Sequence, residues 1–377
     1  MIGFGFLSTY PPTRCGLATF TSALASAIAE PGSPDSRVIR VDDLVPAGPA
    51  TPGPGTIVVG DLRPGSVEGR SDAAARLNAS DVVIVQHEYG IYGGADGDEI
   101  LDLMNRLSVP AIVVFHTVLR EPTAHQRWVL ERVAGLASTV VVMTHTAGEL
   151  LTRRYSVSPH KVHVIPHGVA TWTTPTVRTH QERPVILTWG LIGPGKGIEW
   201  GIRALAELGD LEPRPIYRVI GQTHPKVLLD SGEAYRNGLQ DLAAELGVAG
   251  DVEVDDRYRT TAELAALVTD ASVVLLPYDS RDQATSGVLA EAVAAGKPVI
   301  ATGFPHAIEL LTHGAGIVVG HQNPGDIAHA IREILSRPGL GAQMHDAAIR
   351  ESHDTSWSAV ASAYRVLARD LLQERAA

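Results

Sequence analysis

Residues 277–300 read Pro-Tyr-Asp-Ser-Arg-Asp-Gln-Ala-Thr-Ser-Gly-Val-Leu-Ala-Glu-Ala-Val-Ala-Ala-Gly-Lys-Pro-Val-Ile. The apolar run 272–276 that precedes them is typical of a strand buried on both faces. Thr285 or Ser286 can cap the helix that follows, and Gly296 can end it. A strand, a polar loop, a short helix and a second strand in this order predict a parallel α/β sheet with crossover helices.

Glu291 is the only polar side chain of the helix predicted over 287–295. A helix that is apolar all round is buried, and a buried carboxylate needs a partner. Glu291 can be a structural carboxylate bonded to nearby backbone or to an arginine, or a ligand-binding carboxylate that accepts hydrogen bonds from hydroxyl groups. The loop 283–287 lies at the carboxyl end of a buried strand and at the start of a helix, where α/β folds bind anions. This position favours the ligand-binding interpretation.

Strand patterns alternate with helical patterns along most of the chain. Strands are predicted over 2–7, 37–41, 56–59, 82–86, 111–115, 139–144, 161–165, 185–191, 217–220, 251–254, 272–276, 299–302 and 316–319. Helices are predicted over 17–29, 98–107, 123–136, 146–154, 197–208, 232–246, 261–269, 287–295, from 307, and over 324–335. The polar stretch 171–183 is interpreted as a linker. We therefore predict two Rossmann-like parallel-sheet domains, 1–173 and 183–355, with a cleft between them, and a tail helix over 356–377.

The composition limits the class of protein. A chain of 377 residues is long enough for two domains, and its net charge of −11 argues against nucleic-acid binding through phosphate contacts. The single cysteine, Cys15, permits no internal disulfide, which is typical of the reducing cytosol, and we interpret it as a buried small residue. No signal peptide and no bilayer-spanning apolar run is visible, so we expect a cytoplasmic protein that contacts membranes at most peripherally.

A glycine-rich loop with one lysine opens the second half: Thr188-Trp189-Gly190-Leu191-Ile192-Gly193-Pro194-Gly195-Lys196-Gly197. Its glycine spacing is not that of a P-loop. The loop can be a tight turn, or it can bring backbone N–H groups and the Lys196 ammonium to a diphosphate. Arg257 follows another predicted strand, together with Asp255 and Asp256. These three can be solvated charges or can lie near a ligand.

Polar side chains also follow predicted strands of the first half. His116 follows the strand 111–115, and Gln86-His87-Glu88-Tyr89-Gly90 ends the strand before it. A lone histidine is usually structural, but the carboxyl end of a parallel strand faces the crevice where α/β folds bind ligands. Arg14 and Gly16 lie in the first strand-to-helix loop, where a glycine is an ordinary turn residue or permits close approach of a ligand. No histidine has metal-ligand spacing such as His-Glu-x-x-His, so we expect no protein-held metal.

The segment 283–300 resembles the signature of the retaining glycosyltransferases of family four, which have the GT-B fold. The family pattern is a glutamate, seven residues, a second glutamate, a helix end of small residues and Gly-x-Pro-Val. Glu291 and the run 296–299 match the second glutamate and the final motif, whereas Gln283 stands in place of the first glutamate.

The glycine-rich loop resembles the same family's Gly-Arg…Lys-Gly motif. Lys196 matches the family's phosphate-binding lysine, and Leu191 stands where the family has an arginine. Because Gln283 and Leu191 replace residues of opposite charge, the charge balance of the site is kept.

The resemblance implies transfer of a hexose from a nucleotide diphosphate sugar to a hydroxyl acceptor, either a saccharide or lipid-linked, with retention at the anomeric carbon and with no bound cofactor or metal. It implies catalytic roles for His116, Lys196, Gln283 and Glu291. It implies donor binding by Gly16, Gly195, Lys196, Arg257, Thr285, Ser286, Gly287 and Glu291, with Arg257 near the base. It implies an acceptor-facing or sugar-facing position for Arg14, His87, Glu88 and Tyr89. In this fold the tail helix crosses back to pack on the first domain.

The donor and the class of protein each have an alternative. The variants Gly-Pro-Gly-Lys-Gly and Gln-x-x-Ser-Gly resemble a mannosyltransferase-like subgroup, which favours GDP-mannose over a UDP-sugar. Loss of a charged residue at Gln283 would also suit a catalytically silent nucleotide-sugar-binding or scaffold protein. A GT-B epimerase is a further alternative, and a phosphorylase would need a Schiff-base lysine that no motif indicates.

Overall fold

The computed structural model describes residues 1–42, 48–170, 182–257 and 259–376. Contacts divide the chain into two compact units. Unit 1 is Met1–Gly168 together with the segment from Asp354, and unit 2 is Val169–His353. The predicted domain boundary at residue 173 and nearly all of the predicted linker 171–183 lie outside the described residues.

Unit 1 contains a seven-stranded parallel sheet. Its strands are β1 (Phe4–Ser8), β2 (Ser36–Val41), β3 (Thr56–Leu62), β4 (Val82–His87), β5 (Ala111–Phe115), β6 (Thr139–Val142) and β7 (Val162–Val164). They are arranged in the order β3-β2-β1-β4-β5-β6-β7. The order reverses between β1 and β4, so the loops that follow these two strands border the crevice at the carboxyl end of the sheet.

The helices of this part of unit 1 are α1 (Gly16–Ile28), α2 (Val67–Leu77), α3 (Ile100–Met104), α4 (Ala124–Leu136) and α5 (His145–Arg154). The predicted helix 98–107 is shorter in the structure, because Asp96 and Gly97 before it have positive φ and Asn105 caps its end. Helix α2 was not predicted, since only Ala73, Ala74 and Leu77 are buried and the apolar pattern is weak.

Unit 2 contains a six-stranded parallel sheet. Its strands are β8 (Val185–Trp189), β9 (Ile216–Ile220), β10 (Val252–Asp255), β11 (Val273–Leu276), β12 (Val299–Thr302) and β13 (Gly316–Val319). They are arranged in the order β10-β9-β8-β11-β12-β13, which reverses between β8 and β11. All four residues of β11 are buried, as the continuous apolar run predicts for a central strand.

The helices of unit 2 are α6 (Ile198–Ala206), α7 (Pro225–Ser231), α8 (Ala234–Glu245), α9 (Thr261–Asp270), α10 (Gly287–Ala294), α11 (Pro305–Leu311), α12 (Pro324–Ser336) and α13 (Leu340–Glu351). Ser286 caps α10, because its side chain accepts a hydrogen bond from the Leu289 N–H at 3.2 Å. Helices α7 and α13 were not predicted. Helix α7 has no buried residue, so its sequence lacks the apolar stripe on which such a prediction depends.

The tail helix α14 (Trp357–Ala376) belongs to unit 1 and packs on α1. Its residues Val360, Tyr364 and Leu367 are buried in the same core cluster as Phe20 of α1. The expected return of the tail to the first domain is thus confirmed. No described helix of the chain is both long enough and apolar enough to cross a membrane.

Candidate functional site

The two loops with the glutamate and lysine motifs lie side by side in unit 2. Strands β8 and β11 are neighbours at the point where the sheet order reverses, so the β8–α6 loop and the β11–α10 loop border the same crevice. The first loop carries Gly195 and Lys196, and the second carries Gln283 and Thr285. Topology alone therefore brings together residues about ninety positions apart in the sequence.

Glycines allow these loops to pack backbone against backbone. Gly197 has a φ of +64°, and a Cβ built on it would collide with the carbonyl oxygen of Pro277, at the end of β11. Gly221, after β9, has a φ of +144°, and a Cβ there would collide with the carbonyl oxygen of Gly190. The loops after β8, β9 and β11 are therefore in direct contact.

Lys196 is held over an aromatic ring. Its Nζ lies 4.5 Å from the centroid of the Tyr278 ring, which in turn stacks on Phe304 with the centroids 5.4 Å apart. The Lys196 side chain is half-buried, and no carboxylate within the described ranges forms an ion pair with it. A positioned ammonium without a carboxylate partner is suited to an anionic ligand.

Asp279 ties the two loops together. Its backbone N–H donates to the carbonyl oxygen of Gly195 at 3.0 Å. Its side chain accepts from the Trp200 indole at 2.9 Å and from the Gln322 amide at 3.2 Å. The position of Lys196 relative to the β11–α10 loop is thus fixed by backbone and side-chain hydrogen bonds together.

In the β11–α10 loop, the backbone amide of Ser286 is hydrogen-bonded and the hydroxyl of Thr285 is not. The Ser286 N–H donates to Nδ1 of His306 at 2.9 Å. The Thr285 Oγ1 is buried and has no hydrogen-bond partner in the part of the chain that the structure describes. The Gln283 amide donates to the Thr285 carbonyl oxygen at 3.2 Å and so fixes the loop from within. Thr285 rather than the Ser286 amide is the polar group left for a ligand.

Glu291 is half-buried. Its partner in the structure is neither the backbone nor an arginine, which were the structural partners considered from the sequence. The side chain of Trp189, at the end of β8, hydrogen-bonds to the carboxyl group, so the indole N–H is the donor. Burial raises the pKa of Glu291 to about 7, although this hydrogen bond opposes the rise. Glu291 therefore changes its charge close to neutral pH.

Arg257 lies to one side of the β8 and β11 loops. It follows β10 and borders a cavity of about 720 Å³ that is also lined by Ile220 of β9. Its side chain is 70% exposed and pairs with Asp255 at 2.8 Å. Hydrogen bonds from Arg257 are the largest influence that lowers the pKa of Asp255, to about 2. Only some of the N–H groups of the Arg257 guanidinium donate to Asp255, so the others can donate to a ligand in the cavity.

In unit 1 the β1–α1 loop presents an exposed glycine. Gly16 is the first residue of α1, and a Cβ built on it would meet no heavy atom within 4 Å. Neighbouring Arg14 is exposed as well. Cys15 is half-buried and caps α1, with its Sγ accepting from the Ala18 N–H at 3.4 Å, so the prediction of a buried small residue was wrong. A cysteine can replace the usual serine or threonine cap here, and a sequence pattern does not show this.

His116 and Gln86 form a pair at the carboxyl ends of β5 and β4. His116 Nε2 lies 2.6 Å from Gln86 Oε1, and the ring packs edge-on against Phe20 of α1. Since the amide oxygen can only accept, His116 carries its proton on Nε2 and presents Nδ1 as an acceptor. Burial, with smaller contributions from His167 and His87, lowers the pKa of His116 to about 3.

The residues 87–89 that follow are held to different degrees. His87 is fully buried, its pKa is lowered by burial to about 3, and neither ring nitrogen has a partner among the residues described. Glu88 accepts from the Thr117 hydroxyl at 2.5 Å and from the Tyr89 N–H at 3.0 Å. The Tyr89 hydroxyl donates to the Gln126 carbonyl oxygen at 3.3 Å. Two buried nitrogens without partners at a strand end indicate a place for water or a ligand.

The chain matches two protein families, one in each half. The Glycosyl transferases group 1 model matches residues 174–351, and the Glycosyltransferase Family 4 model matches residues 28–172. Together the two glycosyltransferase models match the chain from residue 28 to residue 351. The Family 4 match includes strands β2 to β7, and the group 1 match includes the loops of Lys196 and Glu291.

The curated relatives that the chain matches are named as glycosyltransferases. The D-inositol 3-phosphate glycosyltransferase of Streptomyces coelicolor is 29% identical over 61% of this chain and 55% of its own length. That of Corynebacterium diphtheriae is 28% identical over 74% of this chain and 68% of its own length. The chain therefore spans little more than half of the first relative.

Solved structures show the fold. Anabaena HepE in complex with UDP and glucose has a TM-score of 0.75 at 16% identity, with 98% of this chain and 100% of that one covered. Sucrose-phosphate synthase of Thermosynechococcus elongatus has a TM-score of 0.74 at 17% identity, with 99% and 100% covered. The fold is GT-B, as predicted.

The structure brings together most of the predicted second-half residues, on the two loops and on α10, whereas Arg257 lies apart at the cavity beside β10. The predicted first-half residues all lie at the carboxyl ends of β1, β4 and β5. Three residues that contact the predicted ones were not singled out from the sequence: Trp189, Asp279 and His306. Asp279 lies three residues after the end of β11, and this position near a strand end was the available signal. Trp189 and His306 had no such signal in the sequence, because their partners, Glu291 and Ser286, lie far from them along the chain.

Buried His87 is expected to make the chain sensitive to acid. Its folded pKa of about 3 lies below the unfolded value of 6.5, so the unfolded chain takes up the proton first and stability is lost as pH falls below 6.5. From pH 7 to pH 5 this loss is about 2 kcal/mol. Urea unfolding at both pH values should show that His87→Leu removes this part of the pH dependence. The exposed His160, replaced by glutamine, is the control and should leave the dependence unchanged. An equal dependence in His87→Leu would contradict the assignment.

Proposed function

We propose that this chain transfers a hexose from a nucleoside diphosphate sugar to a hydroxyl acceptor with retention at the anomeric carbon. The observation that supports the proposal most strongly is the site of Lys196. Its ammonium has no carboxylate partner among the described residues, and Asp279 fixes its loop to the one that carries Thr285. A cation and an unpartnered hydroxyl on two joined loops fit a diphosphate.

The leaving diphosphate is the group that unit 2 stabilises. The bond between the anomeric carbon and the phosphate oxygen breaks, a bond to the acceptor oxygen forms on the same face, and the acceptor proton passes to the departing phosphate. Positive charge develops on the sugar ring and negative charge on the diphosphate. Lys196, the Thr285 hydroxyl and the start of α10 near Gly287 offset the negative charge. Gly195 gives the loop the φ of +85° that this approach needs.

Glu291 and Arg257 are assigned to the nucleoside. The Glu291 carboxylate accepts hydrogen bonds from the ribose hydroxyls, while the Trp189 indole holds it in place. Arg257 borders the cavity beside β10 and is assigned to the base. Gln283 is assigned to the transferred sugar, with an uncharged amide where a carboxylate would otherwise stand. Ser286 shapes the loop through its cap and its amide.

Unit 1 is assigned to the acceptor and to the sugar hydroxyls. The open space at Gly16 admits a phosphate or sugar group. His116 is neutral and carries its proton on Nε2, so its Nδ1 can accept a hydrogen bond. We assign it to a sugar hydroxyl, which this bond would orient. Arg14, His87, Glu88 and Tyr89 are assigned to the acceptor.

The donor base and the acceptor are the least constrained parts of the proposal. The comparisons lend no support to GDP-mannose, and the HepE structure holds UDP and glucose. We therefore place a UDP-sugar first among the donors, with a GDP-sugar second. For the acceptor we propose a saccharide or a lipid-linked hydroxyl, and the named relatives add a phosphorylated inositol to the compounds worth testing.

The test is a panel of UDP-, GDP- and ADP-sugars, with and without Mg²⁺, in which thermal shift and release of free nucleotide are measured. We expect the sugars of one nucleotide to stabilise the chain, and free nucleotide to be released slowly from them and faster when an acceptor is added. Stabilisation without release, with every acceptor tried, would favour a silent binding protein. Absence of any stabilisation would contradict the donor site.

Nucleotide affinity is expected to depend on pH through Glu291. With a pKa of about 7, the ionised fraction rises roughly tenfold from pH 6 to pH 8, and only the ionised carboxylate accepts from both ribose hydroxyls. The dissociation constant of the preferred nucleoside diphosphate should therefore fall several-fold over this range. Glu291→Gln should bind more weakly at pH 8 and lose most of the dependence. The diphosphate's own titration is common to both proteins, so the difference between them isolates Glu291.

A further inference from the structure

His306 is a buried histidine at the first turn of α11, directly after β12. Its Nδ1 accepts the backbone N–H of Ser286 at 2.9 Å. A backbone amide can only donate, so Nδ1 is unprotonated and the ring is the neutral tautomer with its proton on Nε2. The hydrogen bond therefore fixes the state of the ring and joins the start of α11 to the start of α10.

Every polar group of Ser286 is committed. Its N–H donates to His306, its hydroxyl accepts from the Leu289 N–H at 3.2 Å, and its carbonyl oxygen accepts from the Ala290 N–H at 3.1 Å. The next residue back is the opposite case, because the buried Thr285 Oγ1 has no partner in the described ranges of the chain. Ser286 is thus held at every polar group, and its neighbour Thr285 has a hydroxyl without a partner among the described residues.

We propose that His306 is a positioning residue for phosphate recognition: by holding the Ser286 amide, it sets the Thr285 hydroxyl and the start of α10 where the donor diphosphate binds. This rests on the proposed function, which places the diphosphate at this loop. His306 does not touch the ligand. We assign the effect to the hydrogen bond with the Ser286 N–H, because loss of that bond leaves a buried N–H without this partner and lets the loop move.

The experiment compares three variants that differ in where an acceptor stands. Asparagine places its side-chain oxygen near the position of Nδ1, glutamine places it one bond further out, and leucine offers none. UDP, GDP and ADP are titrated calorimetrically into the full chain, and the one that binds the wild type most tightly is kept, with its nucleoside as the matched ligand. The ratio of the two affinities reports the contribution of the diphosphate alone.

His306→Leu and His306→Gln should weaken the diphosphate about 10-fold and leave nucleoside affinity within about twofold, whereas His306→Asn should bind the diphosphate within about threefold of wild type. Thr285→Val should give the same selective loss, and adding it to His306→Leu should give little more. If the leucine variant does not fold, the asparagine and glutamine pair decides.

Equal diphosphate affinity in the asparagine and glutamine variants would overturn the positioning role. So would an equal loss for diphosphate and nucleoside, which is what a merely structural role produces. Failure of the wild type to bind any diphosphate would overturn the proposed function and this inference together, whereas wild-type binding without the asparagine and glutamine difference would overturn this inference alone.

Discussion

Replacing Lys196 by methionine is expected to lower kcat for sugar transfer by about 100-fold or more, with a smaller change in KM for the donor. The ammonium offsets charge that is larger on the departing diphosphate than on the intact donor, so its loss is felt mainly in the transition state. Methionine keeps most of the length of the side chain and removes only the Nζ, which lies over the Tyr278 ring. Steady-state kinetics with the preferred donor measures the effect.

The matched control is Lys226→Met, because Lys226 is an exposed lysine of the same unit on α7. It should keep wild-type kinetics. Lys196→Arg should recover part of the activity, since it restores the charge on a differently shaped group. If Lys196→Met kept wild-type kcat, or if Lys226→Met lost as much, the assignment of Lys196 to the leaving group would be wrong.

Gly197→Ala is expected to cost about 3 kcal/mol of unfolding free energy or to prevent folding of unit 2. The new Cβ would meet the Pro277 carbonyl oxygen, and φ at Gly197 is +64°, so steric overlap adds to left-handed strain. Overlap with backbone cannot be relieved by a change of rotamer. The loops after β8 and β11 would have to separate.

Gly195→Ala is the matched control for this effect. Gly195 also has a positive φ, of +85°, but a Cβ there would meet no heavy atom within 4 Å. It should therefore cost only about 1 kcal/mol, the strain alone. Urea unfolding followed by intrinsic fluorescence distinguishes the two. Equal losses for both variants would show that the close packing of the two loops is not what makes Gly197 necessary.

The architecture could be predicted because burial leaves a local pattern. Strand β11 is an uninterrupted apolar run, and α10 is apolar at every position but Glu291. Helices with a weaker apolar stripe escaped, as α7 shows, since no residue of it is buried. Pattern recognition therefore finds the elements with a strong apolar pattern and misses those with a weak one, even where, as in α13, a few residues join the core.

The sequence indicated candidate site residues but not the partners that hold them. The position after a strand indicated His116 and the loop of Lys196, and the single polar side chain of an apolar helix indicated Glu291. Their supporting contacts join segments far apart in the sequence, such as the Ser286 amide with His306. Nothing in the sequence near Ser286 shows that its N–H is already engaged by His306. Contacts of this kind arise from tertiary packing, which has no local signal.

The central claim is that unit 2 binds a nucleoside diphosphate through Lys196 and the ribose through Glu291. Calorimetric titration of UDP, GDP and ADP, each beside its 2′,3′-dideoxy analogue, into wild type, Lys196→Met and Glu291→Gln tests it most directly. We predict that one diphosphate binds the wild type, that Lys196→Met weakens this diphosphate and its dideoxy analogue alike, and that Glu291→Gln weakens only the ribose form. If no diphosphate binds, or if the Glu291→Gln variant discriminates the two sugars as the wild type does, the account is contradicted.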